Sequence, residues 1–239
     1  YEAGVTVIQD PQNVIPVSTL ENRRFIYINT GARIPGELYQ YLSKYVHTTY
    51  LALDENTNVQ SLADSLKQNH IINVGVFQHT PVTVIQKLTE LAQRAIPTHE
   101  IIVCDFGNKD LLRTGIPKTT FITAYTSVPE TLRAIPQIIF GGLRATGTLP
   151  FTLSDHASEG AGIETESLRR LTYSIPEDAG MNSQTLEKIQ RIVEEAITAH
   201  ATPGCQILVA RHGKVIYDQT FGGLTYDSTT SVKEDHLYD

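Results

Sequence analysis

Between residues 24 and 140 the sequence switches repeatedly between two periods, and this alternation constrains the fold more than any other feature. Short apolar runs read as strands: Phe25 to Ile28, Thr49 to Leu53, Ile71 to Phe77, Ile101 to Cys104 and Thr120 to Tyr125. They are apolar at successive rather than alternate positions, the pattern of parallel strands covered on both faces. Between them lie helical stripes. Leu38, Tyr41, Leu42 and Tyr45 make one, Val59, Leu62, Ala63 and Leu66 a second, and Val84, Ile85, Leu88, Ala92 and Ala95 a third. Each stripe is narrow enough to cover a sheet face while leaving polar residues outward. Strand-helix-strand alternation with short connections predicts an α/β fold, a doubly wound, mainly parallel sheet with helices on both faces. The sequence shows no internal repeat.

The character changes after residue 155. Ser154 to Gly162 has few large apolar residues and reads as surface, so the expected organisation is an α/β domain over 1–155, a linker over 156–180 and a second element group over 181–239. There Ser183 is a candidate N-cap for a helix striped by Leu186, Ile189, Ile192, Val193, Ala196 and Ile197. Pro203-Gly204 ends it. Cys205 to Arg211 and Lys214 to Phe221 then read as a hairpin over His212-Gly213. One helix and one hairpin in about 60 residues make a small core, so a truncated second domain is expected. Tyr1 is not a start methionine, and Asp235 to Asp239 carries no helix stop, so both ends read as cut.

Composition narrows the function. The 239 residues are 41% hydrophobic and 19% charged, which is globular. Asp and Glu number 26 against 19 Lys and Arg, a formal charge of -7, which disfavours nucleic acid as a partner. No apolar run approaches the length of a membrane span. Cys104 and Cys205 form no CxxC. The eight histidines have no paired spacing, so neither a metal nor a cofactor is expected.

Catalytic motifs are mostly missing. There is no GxSxG elbow and no Ser followed three residues later by Lys. Asp105-Phe106-Gly107 imitates a kinase triplet without its companions. Gly31 to Gly36 sits between a strand and a helix as a phosphate loop would, but Glu37 stands where the lysine belongs. Ser154-Asp155-His156 holds relay ingredients that are neighbours in sequence and so are poorly disposed to face one another. One class of position has fold-level support, because open α/β sheets bind ligands beyond the carboxyl ends of their strands. The candidates there are Asn29, His79, Asp105 and Asn108, with His79 and Asp105 able to transfer protons. The plainer reading is that these polar groups cap loops and helices.

Two stretches resemble known families. Phe140-Gly141-Gly142-Leu143-Arg144-Ala145-Thr146-Gly147-Thr148-Leu149-Pro150-Phe151 resembles the end of the C-terminal α/β domain of glycoside hydrolase family 3, where a helix runs into F-G-G, then small-x-G-x-L-P and an apolar strand. Val5 to Asp10 and Asn13 to Val17 resemble that domain's first strand and N-x-(Leu/Ile)-Pro turn, with Gln9-Asp10 in place of the commoner Lys-Asn. Pro136 departs from the pattern and is expected to break the helix. Pro203 to Asp218 resembles the opening of a serine β-lactamase-type hydrolase, whose S-x-x-K would lie beyond Asp239.

The fusion implies a bacterial, exported (periplasmic or cell-surface) β-N-acetylhexosaminidase that removes terminal β-linked N-acetylglucosamine. Its nucleophilic aspartate and His-Asp pair lie in an N-terminal (β/α)8 barrel. No position here matches them, so the resemblance transfers no catalytic residue. The implied role is a non-catalytic accessory domain, partnered by the barrel and meeting glycan only through the parent. The alternatives are a serine hydrolase fragment with the α/β domain as spacer, and an independent flavodoxin-like ligand module. The stripe from Leu186 to Ile197 needs apolar cover, which predicts that helix and hairpin fold on each other and bury the remainder on the α/β domain or in a homodimer.

Overall fold

The computed structural model describes residues 4–21, 23–31, 36–66, 70–153, 157–227, 229–234 and 236–237. The chain divides into two units, Tyr1–Arg170 and Leu171–Asp239.

Six strands build the first unit: β1 (Thr6–Gln9), β2 (Arg24–Asn29), β3 (Thr48–Ala52), β4 (His70–Phe77), β5 (Glu100–Phe106) and β6 (Thr120–Thr123). Their order is β1-β6-β5-β4-β2-β3. All neighbours are parallel except β1, which runs antiparallel to β6. Strands β2, β4 and β5 lie inside the sheet, each flanked by a neighbour on both sides. Register aligns Leu51, Ile28, Val74, Val103 and Phe121 in one row across the sheet. That row lies under α2 (Val59–Ser65), α3 (Val82–Ala95) and α4 (Lys109–Thr114), whose Val59, Leu88 and Leu111 share its core cluster. The opposite face, with Phe25, Tyr27, Ile71 and Phe106, packs against α1 (Glu37–Ser43) and α5 (Pro129–Ile139). Successive residues point to opposite faces of a strand, so cover on both sides requires continuous apolar runs.

Three local expectations are corrected. Pro136 lies inside α5 and does not end it. A proline removes only its own N–H bond, and the carbonyl of Pro136 still accepts from the Phe140 amide at 2.9 Å. Among the described residues around Phe151 no strand forms. The Leu149 amide instead bonds to the Ala161 carbonyl at 2.8 Å and the Gly160 amide to the Leu149 carbonyl at 2.8 Å, a folded-back loop. The segment read as linker is shared between the units. Residues 157–170 strap the first, through Ile163 to Val7 (2.8 Å), Thr165 to Ala145 (3.1 Å) and Leu168 to Gly141 (2.7 Å). Arg170 closes the strap by donating to the carbonyls of Val17, Phe140 and Ser18. Gly147 is required here, because a Cβ would meet the Val5 carbonyl oxygen at 2.3 Å.

The second unit holds β7 (Thr172–Tyr173), a 3-10 turn (Pro176–Ala179), α6 (Ser183–Leu186), α7 (Lys188–Thr198), β8 (Gly204–Arg211) and β9 (Lys214–Gly222). Its sheet runs β7-β9-β8. The hairpin turn is the expected His212-Gly213, both residues at positive φ as a tight primed turn requires. The helix cap is Asn182, not Ser183: the Asn182 side chain accepts from the Thr185 amide at 3.0 Å, while the Ser183 hydroxyl donates to Glu177. Helix and hairpin do fold on each other, through Leu186, Ile189, Val209 and Ile216. Ile192 is 59% exposed and takes no part.

Candidate functional site

The carboxyl ends of β2, β4, β5 and β6 carry polar residues where the chain leaves the sheet. Asp105 is fully buried at the end of β5. Its Oδ2 accepts from the Thr123 hydroxyl (2.8 Å) and the Gly107 amide (3.1 Å), and its Oδ1 from the Asn108 amide (2.9 Å). Burial pushes the carboxyl up to about 6, against the opposing pull of the bonds from Thr123, Gly107 and Asn108. The turn that supplies those amides needs Gly107 at φ +87, where a Cβ would also strike the Tyr125 carbonyl oxygen at 2.3 Å.

Asn108 is the N-cap of α4, accepting from the Leu111 amide at 3.0 Å. Its Nδ2 donates to the carbonyls of Phe77 (3.1 Å) and Thr80 (3.0 Å), which ties the β5 and β4 loops together. The Thr80 hydroxyl lies 2.9 Å from that of Thr30, and Thr30 donates to the Gly75 carbonyl at 2.9 Å. Asn29 completes the row. Its Oδ1 accepts from the Gly31 amide at 2.9 Å and its Nδ2 donates to the Tyr50 hydroxyl at 3.3 Å.

Three of the four candidates, Asn29, Asp105 and Asn108, therefore belong to one buried band of loop-fastening groups. His79 is exposed in the turn between β4 and α3 and, among the described residues, shares no bond with that band. The arrangement holds four loops against one sheet edge. Asp105 spends both oxygens on donors, which leaves it poorly placed to take a proton from a substrate. Thr30 and Thr80 stand at the polar strand ends that the sequence marks but were not among its candidates, and Thr123, read there only as part of a strand, was missed. Ser154-Asp155-His156 and the loop over 32–35 lie outside the described residues. His70 and His99, distant in sequence, bring their rings to 5.7 Å at the opposite end of the strands. Among the described residues no group of three His, Cys, Asp or Glu could hold a metal ion. No helix among them is long and apolar enough to cross a membrane.

The fold and this edge define a doubly wound α/β domain with one antiparallel edge strand and a C-terminal strap. No protein-family model matches the chain, and no curated protein matches it. Solved structures do. A fungal multi-domain GH3 β-N-acetylglucosaminidase with a GCN5-related glucosamine N-acetyltransferase region is similar over 68% of this chain, at 16% identity and a TM-score of 0.54. A glycoside hydrolase family 3 β-N-acetylglucosaminidase from Paenibacillus sp. str. FPU-7 is similar over 63%, at 18% identity and a TM-score of 0.46. The chain spans 19% and 30% of those two proteins. At 16% identity the first likeness establishes a shared fold, the one implied by the Phe140–Phe151 resemblance.

Proposed function

We propose that the chain is a non-catalytic accessory region of a multidomain retaining glycosidase, one that releases terminal β-linked N-acetylglucosamine. The observation that carries this reading is the fold shared with the fungal GH3 β-N-acetylglucosaminidase. The band of Asn29, Asp105 and Asn108 supports the non-catalytic part, because its polar groups are engaged with neighbouring protein groups: Asn29 with Tyr50 and Gly31, Asp105 with the Asn108 amide, and Asn108 with Thr80. The catalytic aspartate and the acid/base pair would come from a (β/α)8 barrel elsewhere in the same polypeptide, with a covalent glycosyl intermediate formed there. An exported location and a β-lactamase-like identity for the second unit belong to the same proposal. The helix-then-hairpin order of α7, β8 and β9 agrees with that identity.

The test is hydrolysis of p-nitrophenyl N-acetyl-β-glucosaminide by this chain and by the polypeptide that contains it. The chain alone is expected to be inert and the whole polypeptide active. Turnover by the chain alone that is lost in Asp105→Asn/His79→Ala would make the strand-end edge a catalytic site. An inert whole polypeptide would remove the glycosidase reading.

A further inference from the structure

At the amino ends of β2, β3 and β4, opposite the loop-fastening band, a cavity of about 580 Å³ opens. Helix α2 accounts for it. Its seven residues span about 10 Å, whereas the six of β2 span about 20 Å. The helix returns along this face from the carboxyl side and stops at Ser65, so the beginnings of β2 and β3 lack its cover. Ile26, Leu51 and Leu66 form the apolar wall, and the exposed Arg24 and His47 stand at its solvent side.

We infer that this cavity is a binding site for a small carboxylate with an aryl or branched-alkyl body. Its volume suits a small molecule, and an apolar lining with a few placed polar groups is the ordinary make-up of such sites. The charge is selective. Acids outnumber bases 26 to 19 in the chain, yet the described residues lining this cavity include two Arg and no Asp or Glu. Arg23 is already paired with Glu100 at 2.7 Å, whereas Arg24 makes no ion pair or hydrogen bond through its guanidinium among the described residues. A neighbouring cavity that shares Arg23 and His70 also carries Glu21 and Glu100, so the unbalanced positive charge belongs to the apolar one. A planar guanidinium beside an apolar wall fits a carboxylate, which it can hold by two parallel bonds. The inference stands apart from the glycosidase reading and survives its failure.

The probes are naphthoate and its uncharged amide, titrated into the full chain by calorimetry. Naphthoate is expected to bind saturably and the amide about tenfold or more weaker, the range of one charge-assisted bonding partner. Arg24→Gln is expected to lower naphthoate affinity to the level of the amide while leaving amide binding and the melting temperature unchanged. Absence of saturable naphthoate binding, equal affinity for the two probes, or an unchanged naphthoate affinity in Arg24→Gln would each overturn the inference.

Discussion

Asp105 is a carboxyl that burial and hydrogen bonding pull in opposite directions, and the balance gives the fold a pH dependence. In the unfolded chain it ionises near 3.8, while in the fold it keeps its proton to about 6. Between those values the folded state binds more protons than the unfolded one, so this group's contribution to stability falls as pH rises through the window and is flat above it. Asp105→Asn has no such group, so wild type's advantage over it should shrink by about 2–3 kcal/mol between pH 3.8 and neutrality. Urea midpoints at the two ends of the window measure this, and an advantage that grows toward neutral pH contradicts it. Asn73 makes a second case. It lies in register between Tyr27 and Ile102, buried, with neither amide atom bonded among the described residues. An unsatisfied buried amide costs about 1–3 kcal/mol, so Asn73→Val should raise the melting temperature. A lower one would mean that a bound water satisfies the amide. The candidate edge was legible in the sequence as polar residues after strands. Its engagement was not, because the bonds join Asp105 to Thr123 and Asn108 to Thr80, pairings that only the sheet order creates.

At the scale of elements, β2, β4 and β5 were readable because central parallel strands must be apolar on both faces, and Val103 shows how strictly. It is fully buried, between Val74 of β4 and Phe121 of β6. Val103→Asp should abolish soluble folding, since an unpaired buried carboxylate costs several kcal/mol against a total stability of about 5–15 kcal/mol. Soluble expression with a cooperative melt would show that β5 tolerates charge and is not the centre of the core. Shorter elements escaped the sequence reading for identifiable reasons. Helix α4 has six residues, fewer than two turns, so no stripe can develop. Helix α5 was expected only through the resemblance, as a helix running into Phe140-Gly141-Gly142 that Pro136 would break, while Pro129 opens it at a position where a missing N–H costs nothing. Strand β1 is four residues long and was visible only through the resemblance of Val5 to Asp10 to a known first strand.

At the scale of the whole molecule, the two units are unequal in what they bury. The first has a core on each sheet face, with large side chains such as Tyr27, Phe25, Phe106 and Leu88 almost fully covered. The second is organised around Ala179, Leu186 and Ile216, and leaves Ile192 59% and Leu208 51% exposed. Local stability follows buried apolar area, so the second unit should open at a small fraction of the free energy needed to open the first. Limited proteolysis should therefore degrade the residues after 170 first and leave a resistant fragment that ends near Arg170, where the guanidinium clamps three carbonyls. A chain ending at Arg170 should melt at the temperature of the main transition of the full chain. Exposed Ile192 and Leu208 leave room for the homodimer expected from the α7 stripe, in which each tail covers the other. Light scattering separates the cases: a full chain that dimerises while the chain ending at Arg170 stays monomeric, with Ile192→Asp restoring the monomer, supports mutual cover. If both chains are monomers and Ile192→Asp changes neither melting nor the cleavage pattern, the homodimer proposal fails and Ile192 is simply an exposed side chain of α7.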